Sequence, residues 1–211
     1  MSYWQTEFSD GVVIAKYNNP PMNYFCAEGT QELWKLIEEW RDPSIRAVVL
    51  TGAMEGKFIT HYSVEELVAL AKDREAMRLA GTSLTTGYHS MLKNLSDLPK
   101  AIIVAMNGDT MGGGFELSLS CDLRIGQKGD YRYGFPEVKL GILPGGSGTQ
   151  RLSRLIGVGR ALEFVIRSRV VPPDEALHFG LIHEVADSAL DRATEIAHEI
   201  ANFPPIAVAR A

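Results

Sequence analysis

Residues 110–122, TMGGGFELSLSCD, combine two features that are costly in a protein interior. Three consecutive glycines, residues 112–114, weaken a helix, and Glu116 adds a carboxylate to an apolar and small-residue stretch. At the start of a helix, however, glycines let free backbone N–H groups approach a ligand closely, and the helix dipole favours negative charge there. The segment is therefore a candidate site.

The residues after the glycines indicate which negative charge this site would hold. A P-loop needs Lys-Ser/Thr after its last glycine, and here Phe115 and Glu116 follow; the dinucleotide pattern Gly-x-Gly-x-x-Gly is also absent. A glutamate would repel a phosphate. A developing oxyanion on a neutral carbonyl fits better, because the N–H groups can hold the oxygen while Glu116 acts on the adjacent carbon or on a water.

A second acid, Glu137, follows Pro136 in another largely apolar stretch, YGFPEVKLGILPGGSGTQRL. Two carboxyl groups in apolar surroundings can have separated pKa values and so divide general-acid and general-base work. From the residues alone an ordinary structural interpretation stays open. The glycines would then serve tight helix–strand packing, and either glutamate would cap a helix or pair with an arginine.

Composition limits the remaining function classes. The 211 residues fit one domain, with 45% hydrophobic and 22% charged residues, as in globular proteins. The net charge of −5 without a basic block argues against a nucleic-acid partner. No apolar run reaches the roughly 18 residues of a membrane span, and no signal peptide is evident, so we expect no membrane partner and a cytoplasmic location. Cys26 and Cys121 lie in no metal-ligand spacing, so we expect reduced structural thiols and no metal.

The hydrophobic pattern predicts strands that alternate with helices. Ser9-Asp10-Gly11 predicts a hairpin turn, and Ser63 with Glu66 predicts a capping box. Helices are predicted at 29–42, 64–72, 74–95, 149–168 with a break near Gly157, 172–180 and 190–203, and buried strands at 46–52, 100–108, 122–126 and 181–186. This alternation favours a mainly parallel sheet with crossover helices.

Three long segments, AIIVAMNGDTMGGGFELSLSCDLRIG, YGFPEVKLGILPGGSGTQRLSRLIG and ALHFGLIHEV, resemble the enoyl-CoA hydratase/isomerase (crotonase) superfamily. The resemblance runs from about residue 8 to the C-terminus. It implies an α/β, crotonase-like (ClpP/crotonase) spiral of ββα units in one domain, residues 1–211. The ββα core would reach about residue 195, and residues 196–211 would begin a C-terminal helical region that is shorter than usual. The family commonly forms homotrimers or hexamers, as dimers of trimers.

The resemblance also implies roles for single residues. Gly113 matches the glycine whose N–H forms one half of the family's oxyanion hole. Glu116 matches the glutamate that activates water, and Glu137 matches the one that exchanges the proton at the α-carbon. Both acids together favour syn addition of water to a 2-enoyl-CoA thioester, within fatty acid metabolism. No cofactor is implied besides coenzyme A, which is part of the acyl-CoA substrate.

The loop that should supply the other oxyanion donor departs from the family pattern Phe-x-Ala-Gly-x-Asp. Here residues 58–63 read FITHYS, so the donor should be the N–H of Tyr62, and His61 replaces the usual glycine. If that glycine needs a positive φ, His61 is strained or the loop is remodelled. The same loop in the family contacts coenzyme A, which makes Phe58, Thr60 and Lys57 candidate substrate-binding residues.

Three alternatives follow from these features. His61 beside an oxyanion hole is a candidate base for a β-diketone C–C hydrolase of the same superfamily, against an ordinary exposed loop histidine. A Δ3,Δ2-enoyl-CoA isomerase would mainly use Glu137. A relative that binds acyl-CoA without catalysis would fit the altered loop.

Overall fold

A computed structural model describes residues 2–80 and 86–211. Within them the strands β1 to β10 are, in chain order, Trp4–Ser9, Val12–Tyr17, Ala47–Gly52, Gly56–Lys57, Ala101–Met106, Gly108–Met111, Leu123–Gln127, Tyr133–Gly134, Val170–Val171 and Glu184–Ala186. The helices α1 to α10 are Ala27–Glu39, Val64–Lys72, Arg74–Ala80, Thr86–Ser96, Gly113–Ser118, Gly148–Ile156, Val158–Ile166, Pro173–His178, Ala189–Ala201 and Pro205–Val208, and a 3-10 helix spans Glu137–Leu140.

The main sheet has six strands in the order β1-β2-β3-β5-β7-β10. β1 and β2 form the predicted antiparallel hairpin, and every other neighbouring pair is parallel. Helices connect the parallel strands. The expectation of a mainly parallel sheet with crossover helices is confirmed.

A second, smaller sheet, in the order β4-β6-β8-β9, has no counterpart in the sequence-based expectations. In the chain, each of the main-sheet strands β3, β5 and β7 is followed by a strand of the second sheet, β4, β6 and β8 respectively, and then by helical structure. This succession produces the repeated ββα units. The buried run that was expected to end near residue 108 is divided at Asn107, whose side-chain amide bonds both the N–H and the carbonyl of Gly52, each at 3.0 Å.

Hydrophobic side chains fill both faces of the main sheet. Along β3, Val48 and Leu50 face one apolar cluster and Ala47 and Val49 the other, as strand alternation requires. The second cluster is closed by α9. This helix presents a stripe of buried alanines, residues 189, 193, 197 and 201, so its backbone can lie close to the sheet.

One expected helix changes and one expected boundary stays a prediction. Residue 195, near which the C-terminal region was expected to begin, lies inside α9, and the division into core and C-terminal region stays a prediction. A single helix was expected over residues 74–95. The structure has α3 at the start of this range and α4 at its end, and residues 81–85 between them lie outside the described part. The helix break expected near Gly157 is confirmed between α6 and α7.

The capping box expected at Ser63 is half correct. Ser63 Oγ accepts a hydrogen bond from the N–H of Glu66 at 3.3 Å and so caps α2. The Glu66 carboxylate does not return to Ser63; it accepts from the N–H of Ala27 at 3.0 Å, at the start of α1. Glu66 therefore ties the N-termini of two helices together.

In the parts of the chain that the structure describes, no helix is both long and apolar enough to cross a membrane.

Candidate active site

Each of the three glycines before Glu116 has a different close neighbour. Gly112, with φ 51, is the N-cap of α5, and a Cβ atom there would lie 2.9 Å from Glu137 Oε1. A Cβ on Gly113 would lie 2.9 Å from Tyr62 Cβ, and one on Gly114 only 2.0 Å from the carbonyl oxygen of Ile59. Tight packing therefore explains Gly114, whereas Gly112 and Gly113 keep the start of α5 open beside Glu137 and Tyr62.

Two backbone N–H groups come together at this point, those of Tyr62 and Gly113. Tyr62 forms an isolated parallel bridge with Phe25, in which His61 and Ser63 supply the hydrogen-bonding groups, so the Tyr62 N–H points the other way. The Tyr62 nitrogen is 3.5 Å from where a Gly113 Cβ would stand. Among the described residues neither N–H donates to a protein acceptor. Such a pair can hold one carbonyl oxygen.

Glu116 lies in the first turn of α5 and is 3% exposed. Its Oε1 accepts two backbone hydrogen bonds, from Gly146 and Gly148, both at 2.7 Å. Burial raises the pKa of Glu116 to about 7, and the two N–H donors and the charge of Arg151 act in the opposite direction. A carboxyl group in this state can accept a proton near neutral pH.

Glu137 opens the 3-10 helix and is 6% exposed. Its Oε2 is buried and has no hydrogen-bond partner among the described residues. Burial raises its pKa to about 8; its own backbone N–H lowers the pKa, and the charge of Glu116 raises it further. The two glutamates therefore share one site, and burial together with the charge of Glu116 favours the protonated form of Glu137.

Comparison with known proteins identifies the family of the chain. A family profile described as enoyl-CoA hydratase/isomerase matches residues 7–211. The chain belongs to the enoyl-CoA hydratase/isomerase family. Its fold is the crotonase fold, as the resemblance implied.

Individual relatives of this enoyl-CoA hydratase/isomerase family member are similar over most of its length. Short-chain-enoyl-CoA hydratase of Clostridium acetobutylicum is 35% identical over 201 residues, which cover 93% of this chain and 74% of that protein. Fatty acid oxidation complex subunit alpha of a Shewanella species is 34% identical over 200 residues, 91% of this chain and 27% of that longer one. The crystal structure of enoyl-CoA hydratase from Bacillus anthracis has a TM-score of 0.90 at 33% identity and covers 99% of this chain and 80% of that one.

The loop of this family member that departs from the family pattern is anchored by its own side chains. Phe58 is fully buried in the core, and a role for it in substrate binding stays a prediction. The Thr60 hydroxyl donates to the carbonyl of Met22 at 2.6 Å, and Lys57 Nζ to that of Pro21 at 2.6 Å. A substrate-binding role for Thr60 and Lys57 stays a prediction.

His61 is neither strained nor an exposed loop residue. It is not among the non-glycine residues with positive φ, so the loop accepts a side chain where the family has glycine. The ring is half-buried and stacks on Tyr24 with centroids 4.1 Å apart, and Nδ1 is 2.7 Å from the carbonyl oxygen of Tyr62. Its role as an alternative base stays a prediction.

Sequence reasoning missed Tyr88. This residue of α4 donates its hydroxyl hydrogen to the Gly113 carbonyl at 2.5 Å, and its ring lies 5.5 Å from that of Tyr62. A Cβ on Gly146 would lie 2.6 Å from the Tyr88 ring, and burial followed by the charge of Glu116 raises the phenol pKa well above its ordinary value. A tyrosine on a predicted core helix carries no signal that would reveal these contacts.

One group of potential metal ligands lies apart from the glutamate pair. Ligand atoms of Cys26, Glu28 and Glu66 lie within 4.8 Å of one another. Cys26 Sγ and Glu66 already accept hydrogen bonds from N–H groups at the start of α1, the positive end of its dipole, which disfavours a cation. The expectation of no metal stays a prediction.

Proposed function

We propose that the protein is an enoyl-CoA hydratase, which adds water across the double bond of a 2-enoyl-CoA thioester. The observation that carries this proposal is the pair of buried glutamates, Glu116 and Glu137, beside the paired free N–H groups of Tyr62 and Gly113. One carboxyl is held by two backbone donors, and the other has an oxygen without a hydrogen-bond partner in the described part of the chain.

In the proposed reaction Glu116 is the base and Glu137 the acid. Water adds to C3 while its proton passes to Glu116, and the π electrons move towards the thioester oxygen. The N–H groups of Tyr62 and Gly113 stabilise the enolate that forms there. Glu137 then delivers its proton to C2 on the same face. The higher pKa of Glu137, about 8 against about 7 for Glu116, supports this division. Glu116 then releases its proton to solvent and Glu137 takes one up, so both groups return to their starting states. No cofactor takes part in the proposed reaction.

The named relatives support the substrate class. One is a short-chain-enoyl-CoA hydratase and another a subunit of a fatty acid oxidation complex. We therefore propose that the protein acts on an acyl-CoA in fatty acid metabolism, and its cytoplasmic location stays a prediction. A homotrimer or a dimer of trimers is part of the proposal. Exposed apolar side chains from the 3-10 helix to α7, among them Leu143, Val158 and Leu162, fit such an assembly, which light scattering would measure.

A second candidate is double-bond isomerisation of a 3-enoyl-CoA. It is favoured by the unpartnered Glu137 Oε2, because a single carboxyl suffices to move a proton between C2 and C4. In that reaction Glu116 would be dispensable. The two functions therefore differ in their sensitivity to Glu116→Gln.

The test is a panel of crotonyl-, octenoyl- and dodecenoyl-CoA, followed by loss of enoyl-thioester absorbance, with a 3-enoyl-CoA added for the isomerase. We expect hydration, with Glu116→Gln and Glu137→Gln each lowering kcat by at least about 10²-fold. Glu7→Gln, on the β1–β2 hairpin, is the control and should keep full activity. Acyl-CoA binding by calorimetry without turnover of any substrate would refute an enzymatic role.

A further inference from the structure

Two backbone hydrogen bonds hold Glu116 Oε1 and are here called the clamp. The clamp depends on one residue with an unusual backbone conformation. Gly146 and Gly148, whose N–H groups bind Glu116 Oε1, flank Ser147. Ser147 is buried and adopts φ 85 and ψ 12, in the left-handed region that disfavours residues with a side chain. This conformation turns both neighbouring N–H groups towards the same carboxylate oxygen.

Arg151 holds Ser147 in that conformation. Its Nε donates to Ser147 Oγ at 2.8 Å, and its backbone N–H donates to the Ser147 carbonyl at 2.9 Å. The other end of the guanidinium donates to Ser96 Oγ at 3.0 Å and to the Leu92 carbonyl at 3.4 Å, both on α4. The arginine therefore fixes the serine against a helix of the core.

The hydrogen bond to its hydroxyl explains why position 147 has a serine and not a glycine. Glycine would adopt φ 85 without strain, so serine stores strain that its neighbours must offset. The hydrogen bond from a guanidinium is charge-assisted and strong, and it reaches the one atom that distinguishes serine from alanine.

We propose that Arg151 is a positioning residue of the reaction: through Ser147 it keeps the two N–H groups on Glu116 Oε1 and leaves Oε2 to take the proton of the water. The inference rests on the proposed function for the identity of the reaction. The geometry of the clamp does not depend on it.

Three titratable groups of the described residues interact electrostatically with Glu116, and each lies on a different element. Arg151 lies on α6, Glu137 on the 3-10 helix and Tyr88 on α4. Arg151 and the clamp lower the pKa of Glu116 against the burial that raises it. Loss of the clamp should therefore shift the acid limb of the kcat profile to higher pH.

The test compares Arg151→Ala in two backgrounds, wild type and Ser147→Gly. In wild type we expect kcat to fall about tenfold, with KM changed less than about twofold and the acid limb at higher pH. In the Ser147→Gly background the same change should cost less than about twofold, because glycine needs no support at φ 85. Ser147→Ala should be as slow as Arg151→Ala. Arg154→Ala, one turn along α6 and exposed, is the matched control.

Equal loss from Arg151→Ala in both backgrounds, or no loss in wild type, would overturn the inference. A readout without turnover separates it from failure of the proposed function. The Glu116 carboxyl resonance, assigned by its absence in Glu116→Gln, should titrate at higher pH in Arg151→Ala, and by more in wild type than in the Ser147→Gly background, where only the charge of Arg151 is lost. An unchanged titration would overturn the inference even if no enoyl-CoA is hydrated.

Discussion

Replacing Glu137 with glutamine should stabilise the protein at high pH while it removes the activity. The Glu137 carboxyl is buried, and its Oε2 has no hydrogen-bond partner among the described residues. Ionisation in that position is unfavourable, first because of burial and then because of the charge of Glu116, and the pKa rises to about 8. Glutamine keeps the shape and never ionises.

The magnitude follows from the two pKa values of this group. The unfolded chain has the ordinary glutamate value of 4.5, and the folded protein a value of about 8. Between them the folded state keeps a proton that the unfolded state releases. The contribution of Glu137 to the free energy of unfolding is therefore complete below the unfolded pKa and is lost as pH rises through the folded one. The loss is about 1.4 kcal/mol per pH unit midway between the two pKa values and less as pH nears the folded one, so it amounts to roughly 2 kcal/mol between pH 6 and pH 8.

Urea unfolding of wild type and Glu137→Gln at pH values from about 6 to 9 measures this difference. The variant should gain stability relative to wild type as pH rises and level off above the folded pKa. Glu163→Gln is the control. Desolvation raises the Glu163 pKa, but hydrogen bonds from Arg167 and Arg169 outweigh it and hold the pKa below its usual value, so its stability contribution is lost only at more acidic pH. A Glu137→Gln difference as flat as that of the control would refute the reasoning.

Three further changes test the site and the fold separately. Gly113→Ala should lower kcat about 10²-fold with little change in acyl-CoA affinity, because the new Cβ would lie 2.9 Å from Tyr62 Cβ, whereas Gly159→Ala, with no atom within 4 Å of its Cβ, should remain active in the same assay. Tyr88→Phe removes the hydrogen bond to the Gly113 carbonyl and should lower kcat a few-fold, with the fold retained by circular dichroism. Ser188→Ala removes the N-cap of α9 and should lower the free energy of unfolding by about 1 kcal/mol in urea while kcat is unchanged.

The main sheet was predictable because its strands and helices carry their own periodic patterns. Residues 47–52 and 101–106 are wholly buried strands, and both were expected from apolar runs. The second sheet was not predictable. β4, β8 and β9 have two residues each, too few for a pattern, and they form only because the longer strands bring them together.

The residues of the candidate site were likewise predictable only in part. Glu116, Glu137 and the glycines at the start of α5 were predicted because their residue types are unusual in apolar segments. Arg151 and Tyr88 were not, because their contacts join distant positions: Arg151 and Ser96 are 55 residues apart in the chain. Within the run Gly-Gly-Ser-Gly, the serine between glycines is a sequence feature that indicates a contact of its side chain.

The two glutamates are chemically identical, and the backbone around them decides which one ionises. Burial raises the pKa of both, but only Glu116 receives two N–H donors, from Gly146 and Gly148. The lower pKa of Glu116 favours, of the two states of the pair with a single charge, the one with the charge on Glu116. The proposed hydration uses that state, with a base for the water and an acid for C2. In that proposal two glycines, and the Ser147–Arg151 contact that orients their N–H groups, assign the role of base to Glu116.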